Sequence, residues 1–411
     1  MPQMMNMVWG RRHINPNSPE KYGQTPILLA ATEGHEGVVQ LLLGRKDVKA
    51  DAADGYGCTP LLCASSRGHK GVVKLLLERE DVNINRADNN ARMPLLSAVE
   101  SGSAGVVGQL LGRKDINPNT HSNAGQKLLL LASMRGHDVV AKLLLGREDV
   151  NPDVPNDDGR TPLSWAARNG HDRVVELLLR REDVNPHKPN NNGQTPLSWA
   201  AGNGHDGAVK LLLGRENVNP DRPDSNGRTP FSWAAGNGHD RVVILLLRRE
   251  DVNPDTPDRY GRTPFSWAAG NGHDGVVKLL LGREDINPDM PNSFGRTPFS
   301  LAAGNGHERV VNLLLGREDV NPDRPDDGGR APLSWAAGNG HNGVVKLLLE
   351  REDVNPNMPS SYGSTPLLWA AANGHDRVVK LLLEGKTSTP ICQTMMTEHR
   401  FHGLSGKGMM E

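Results

Sequence analysis

The apolar positions of this chain come in two short runs that keep returning together. Residues 261–289 read GRTPFSWAAGNGHDGVVKLLLGREDINPD, and 34 residues earlier the chain reads GRTPFSWAAGNGHDRVVILLLRREDVNPD. The stretch FSWAA predicts a first helix whose small residues permit close helix contact. Thr263 can cap it through its side-chain oxygen, and Pro264 suits the first helical position. GNG stops this helix and turns the chain. HDGVVKLLLGR predicts a second helix, apolar at Val276, Val277, Leu279, Leu280 and Leu281. Asn287-Pro288 cannot continue it, and NPDMPNSFG reads as a polar, turn-rich excursion. Two helices this short are marginal alone, so stacking on neighbouring copies must supply the core.

The period can be counted. A Thr-Pro pair begins at Thr25, Thr59, Thr161, Thr195, Thr229, Thr263, Thr297 and Thr365, always separated by multiples of 34. Met93, Lys127 and Ala331 stand where the missing pairs would fall. This gives eleven copies with no insertion or deletion. Histidine keeps the same register at 35, 69, 137, 171, 205, 239, 273, 307, 341 and 375, and only Ser103 breaks the column.

The pattern G-x-T-P-L-x-x-A-A-x-x-G-H-x-x-V-V-x-L-L-L resembles the ankyrin repeat, over residues 23 to about 384. The resemblance implies an all-α solenoid of about eleven helix-turn-helix repeats. Two departures stand out. Ser164, Ser198, Ser232, Ser266, Ser300 and Ser334 replace the usual histidine after Thr-Pro-Leu. GRED lengthens the usual Gly-Ala-Asp before the loop, so the repeat has 34 residues instead of 33. With TPLSWAA-x-NGH, the long loop looks like the arrays common in filamentous fungi. Three segments follow: a partial repeat and lead-in loop over 1–22, the array over 23–384, and a tail over 385–411 expected to be disordered. GRRHINPN at Gly10 is in phase with GREDINPD at Gly282, which reads as an array opening inside an incomplete repeat. Copies 3 and 4, over about 90–135, have lost Gly, Thr and His in one and Thr-Pro in the other. A soft joint is expected there.

Composition narrows the function classes. With 47 basic and 48 acidic residues the formal charge is -1, which favours neither nucleic acid nor an anionic membrane. Cys58, Cys63 and Cys392 are too few for a disulfide framework and read as free thiols. No apolar run approaches the roughly 18 residues of a spanning helix. An intracellular, cytoplasmic monomer is expected, with a nuclear location as the other choice.

Candidate chemistry is sparse. Stacked helices lie about 8–10 Å apart, too far for neighbouring column histidines to share a zinc ion. Each histidine is expected to hydrogen-bond the turn between its two helices. GKT at Gly385 lacks the glycine that a phosphate loop needs five residues earlier. Cys392, His399 and His402 match no standard metal spacing. The tryptophan column Trp165, Trp199, Trp233, Trp267, Trp335 and Trp369, with Leu301 in copy 9, is expected to fill core. No enzyme activity, cofactor or metal is expected.

Variation between copies carries the remaining signal. Just before the loop glycine the column runs Tyr22, Tyr56, Asn90, Ala124, Asp158, Asn192, Asn226, Tyr260, Phe294, Gly328 and Tyr362. Such a mixture marks exposed hairpin tips. Two residues later come Arg160, Arg228, Arg262, Arg296 and Arg330. By resemblance both columns belong to the concave recognition face. The arginines are expected either to grip carboxylates of a partner or to pair with loop aspartates such as Asp255 and Asp289. A further column, Val154, Lys188, Arg222, Thr256, Met290, Arg324 and Met358, looks exposed and unconstrained. The expectation is a non-catalytic scaffold binding another protein, with no nucleic acid or membrane partner, through Tyr260, Phe294, Tyr362, Arg228, Arg262, Arg296 and Arg330. Two alternatives stand beside it: the sensing C-terminal part of a fungal receptor-like protein of the NACHT/STAND type, and an ankyrin transcriptional co-regulator.

Overall fold

A computed structural model describes residues 14–116 and 127–385. Among these the chain forms 22 helices in eleven helix-turn-helix pairs, from α1 (Pro26–Thr32) to α22 (Asp376–Glu384), with no β-strand. Odd-numbered helices are the first of each pair and even-numbered ones the second. The chain divides into two compact units, one ending at Asn253 and one beginning at Pro254, and the same repeat builds both.

The repeat at 263 shows why these residues make these helices. Thr263 accepts the Ser266 amide on its hydroxyl at 3.2 Å, and Pro264 opens α15 (Pro264–Gly270). The serine that replaces the usual histidine closes on itself: the Ser266 hydroxyl donates to the Thr263 carbonyl at 2.8 Å. The chain then reverses and α16 (Asp274–Leu281) begins. Phe265, Ala268, Ala269, Val276, Val277 and Leu280 are fully buried, whereas Leu279 and Leu281 are half-buried. The core is thus a stripe of one large side chain and several small ones per repeat. This explains how a chain with 4% aromatic residues fills it.

Neighbouring repeats are fastened at three places. The first corrects the expectation for the histidines. His307 places Nε2 3.0 Å from the carbonyl oxygen of Gly270, and His341 and His375 do the same to Gly304 and Gly338 at 3.0 Å. In the other unit His171 and His205 reach Met134 and Arg168 at 3.1 and 2.9 Å. The ring therefore ties each repeat to the preceding one, not to its own turn alone. It lies so close over the preceding turn that a Cβ on Gly272 would stand 2.5 Å from His307 Nδ1, at a residue whose φ is already +78°. Only glycine serves there.

The second fastening is the arginine of GRED. Arg317 makes two bonds to Asp319 at 2.9 and 2.7 Å and reaches the Leu281 carbonyl at 3.5 Å. Arg249 does the same in the other unit, to Asp251 and to Leu213. The carboxylate sets the guanidinium in position, and the guanidinium caps the preceding second helix.

The third fastening overturns the reading of the loop column as unconstrained. Lys188 meets the carboxylate of Asp153 at 3.1 Å, and Arg324 meets Asp289 at 3.0 Å; Arg86 and Asp51 form the same pair at 3.0 Å. A base in this column neutralises an aspartate of the preceding repeat that burial pushes to a raised pKa.

In copies 3 and 4 the helices persist without their caps. Met93 and Lys127 precede α5 (Pro94–Glu100) and α7 (Leu128–Arg135) with no side-chain cap bond. Cys58 and Cys63 are free, and burial pushes the Cys58 thiol up to about 11. Cys392, His399, His402 and all but the first residue of the 385–411 tail lie outside the described residues. Among the described residues no helix is long and apolar enough to cross a membrane.

Candidate protein-binding groove

In the repeats that carry the arginine column, one polar side chain four residues before it folds the hairpin tip. Asp258 accepts the amides of Tyr260 and Arg262 on Oδ1 at 2.9 and 3.0 Å, which closes the tip turn. Asn292 does this for Phe294 and Arg296 at 3.0 Å, and Asp326 for Gly328 and Arg330 at 3.0 and 2.9 Å. Successive tips are also joined: the Ser293 amide donates to the Tyr260 carbonyl at 2.8 Å, and Ser361 to Gly328 at 2.9 Å. The tip side chain is thus aimed outward by a rigid backbone. Tyr260, Phe294 and Tyr362 are 42%, 59% and 93% exposed.

The tryptophans are not core. All six are half-buried on the surface formed by the tips and the first helices. Where the tip-forming residue is aspartate, its second oxygen takes the indole N–H: Asp224 from Trp233 at 3.1 Å, Asp258 from Trp267 at 3.2 Å and Asp326 from Trp335 at 2.9 Å. Where it is Asn156, Asn190 or Ser360, the indole nitrogens of Trp165, Trp199 and Trp369 are buried without a hydrogen-bond acceptor. The nine-residue spacing of Asp and Trp was the sequence signal for this pairing.

The arginine column lies flat on those rings. Arg228 stacks on Trp233 at 3.6 Å from the ring centre, and Arg262 on Trp267 at 3.8 Å. Arg296 lies over Trp335 at 4.1 Å, while Arg330 is held between Trp335 and Trp369 at 3.8 Å from each. Room for this comes from the end of the first helix: a Cβ on Gly338 would stand 2.9 Å from Arg330 Nη2. In the second unit Arg296, Trp335, Arg330 and Trp369 form one cation–π run. In the first unit Arg160 and Arg168 both lie about 5 Å from the rings of Trp165 and Trp199.

The aspartates expected to pair with these arginines do other work. Asp289 belongs to Arg324 in the loop, and Asp255 accepts the Asn287 amide. Arg262 instead pairs with Asp258 at 2.9 Å.

In the second unit this surface deepens into a groove of about 550 Å³. Phe294 and Tyr362 are its rim, Trp335 and Trp369 its floor, with Arg296 and Arg330 set into the aromatic lining. Of the sequence-derived candidates, the structure gathers Phe294, Tyr362, Arg296 and Arg330 here. Tyr260 and Arg262 stand one tip earlier, where Arg262 lies 5.0 Å from the Tyr260 ring. Arg228 belongs to the first unit. Among the described residues no cluster of three or more His, Cys, Asp or Glu could hold a metal ion.

A family model described as ankyrin repeats matches residues 5–88, 95–190, 182–258, 248–326 and 299–391. Comparison with curated proteins gave no match. The matched windows run almost end to end over the same Thr-Pro-capped helix pairs that the histidines fasten together, and on that ground the chain belongs to the ankyrin-repeat family.

Proposed function

We propose that this chain is a non-catalytic scaffold that holds a partner protein in the groove between Phe294 and Tyr362. Ankyrin repeats serve in general as protein–protein interaction modules, and the family is typically non-catalytic. The observation that carries the reading is the pair of exposed aromatic rims over a floor of stacked tryptophan and arginine. Soluble surfaces seldom keep such rings together without use, and aromatic and arginine side chains dominate binding energy where they cluster. The lining is also pre-organised, because the tip turns and the cation–π layer hold it before a partner arrives. The adaptor reading and the sensing-end reading make the same demand of this groove.

The test is a random 12-residue display library selected on the full chain. Selected peptides should bind at least about tenfold more weakly to Phe294→Ala/Tyr362→Ala. The variant should melt within about 1 °C of the parent, because surface substitutions usually cost under ~0.5 kcal/mol. Peptides that bind the double variant as well as the parent would remove the groove from the binding surface.

A further inference from the structure

The chemistry of the groove's partner can be read from what its two arginines lack. In copy 8 the Arg262 guanidinium is neutralised inside the repeat, by Asp258 at 2.9 Å from a carboxylate that is fully buried. Copy 3 has the same arrangement in Arg92 and Asp88, at 2.7 Å. Copy 9 breaks it, because Asn292 stands where Asp258 would be. Arg296 then has no ion pair among the described residues; it makes one long bond, from Nη2 to the Ser300 carbonyl at 3.4 Å, and its Nε is buried with no acceptor. Copy 10 breaks it differently. Asp326 bonds the Trp335 indole just as Asp258 bonds Trp267, yet Arg330 forms no ion pair among the described residues and keeps a buried, unaccepted Nε. Two half-buried guanidiniums without a close ion pair among the described residues thus sit in one aromatic groove, whose lining also holds Asp326 and Asp327. Burial pulls the Arg296 pKa down, the charge of Asp326 opposes that shift, and the neighbouring Arg330 adds to it.

We infer that the groove takes an acidic peptide segment, with a carboxylate side chain seated against Arg296 and Arg330 and a neighbouring apolar side chain between Phe294 and Tyr362. The inference rests on the groove being the binding site. A guanidinium offers a carboxylate a planar pair of donors, and the buried surroundings strengthen the attraction relative to water. A single negative charge fits better than a phosphate dianion, because Asp326 and Asp327 also line the groove and would repel the larger charge. The predominance of aromatic carbon there calls for an apolar neighbour on the same segment.

The isosteric change Asn292→Asp is the decisive variant, since it restores the internal carboxylate that copy 8 carries. The probes are 12-residue peptides selected from the library on the full chain, and their Glu→Gln and Asp→Asn counterparts. Expected are selected peptides rich in Asp or Glu beside Phe, Trp, Leu or Met. Their affinity should fall about tenfold on Asn292→Asp and on peptide neutralisation, and should weaken with salt. Arg330→Gln should act in the same direction, with Arg330→Lys partly restoring binding if charge is what is lost. Neutral or basic peptides that still depend on Phe294 and Tyr362 would overturn the acidic inference and leave the groove standing. Peptides indifferent to Phe294 and Tyr362 would overturn both. Acidic peptides whose affinity is the same for Asn292→Asp and the parent would show that the carboxylate does not meet Arg296, and that overturns the seating proposed here.

Discussion

Arg262 and Arg296 occupy the same place in successive repeats, yet one is neutralised by its own hairpin and the other is not, because a single position four residues earlier changes from Asp258 to Asn292. The loop aspartates repeat this logic. Asp289 has Arg324 in the next repeat, whereas the corresponding partner of Asp323 is Met358. Asp323 is half-buried with no donor to its Oδ1, and burial first, then the nearby charge of Asp353, pushes its pKa up. A raised folded-state pKa means that the folded protein holds the proton more tightly than the unfolded chain. The stabilising contribution of the neutral form is then complete below the ordinary carboxylate value of about 3.9 and is lost as pH rises through the raised value. Asp323→Asn keeps an oxygen for the Asn355 amide and removes the charge. It should therefore raise the melting temperature at pH 7, with the gain shrinking as pH falls toward about 3.5. An advantage that stays constant across that range would show that the charge is not the cause.

At the scale of the helix, a repeat tolerates the loss of one signal when the others remain. Most first helices are capped by a threonine hydroxyl, at 3.1 Å from the Ser300 amide in copy 9. Ala331 leaves α19 (Pro332–Gly338) without that bond, though Pro332 and the buried Leu333 keep the helix in place. Because threonine already fits the fully buried equivalent site at Thr297, Ala331→Thr should stabilise by about 1 kcal/mol. Differential scanning calorimetry should register a shift of about 1 °C. A lower melting temperature would mean that the pocket around Ala331 has closed over the missing hydroxyl. Copies 3 and 4 lack the cap at Met93 and Lys127 for the same reason, and Ser103 replaces the histidine fastening between copies 2 and 3. The amides of α5 and α7 should exchange faster than those of α15 and α17 (Pro298–Gly304), as local opening follows the weakest fastenings. Equal protection measured by mass spectrometry would show that packing alone holds the eroded repeats.

Across the whole molecule, the groove lies entirely within the unit that begins at Pro254, where two changes fall in consecutive repeats: Asn for Asp at 292, and an Arg330 that forms no ion pair with Asp326. A regular array becomes specific by such departures, since every framework residue is shared by its neighbours. The chain's own residues determined the period, the eleven helix pairs, the caps and the outward direction of Tyr260, Phe294 and Tyr362. These depend on interactions within a few residues, and repetition states each of them several times over. Tertiary structure decided the rest. The partner of His307 lies 37 residues away, that of Arg324 lies 35 away, and the tryptophans take up their half-exposed places only once arginines lie over them. A contact made to the next copy is invisible in a sequence whose copies look alike, because the same residue type stands both within the repeat and one period away. Which of the two a side chain meets is set by the way one repeat rests on another.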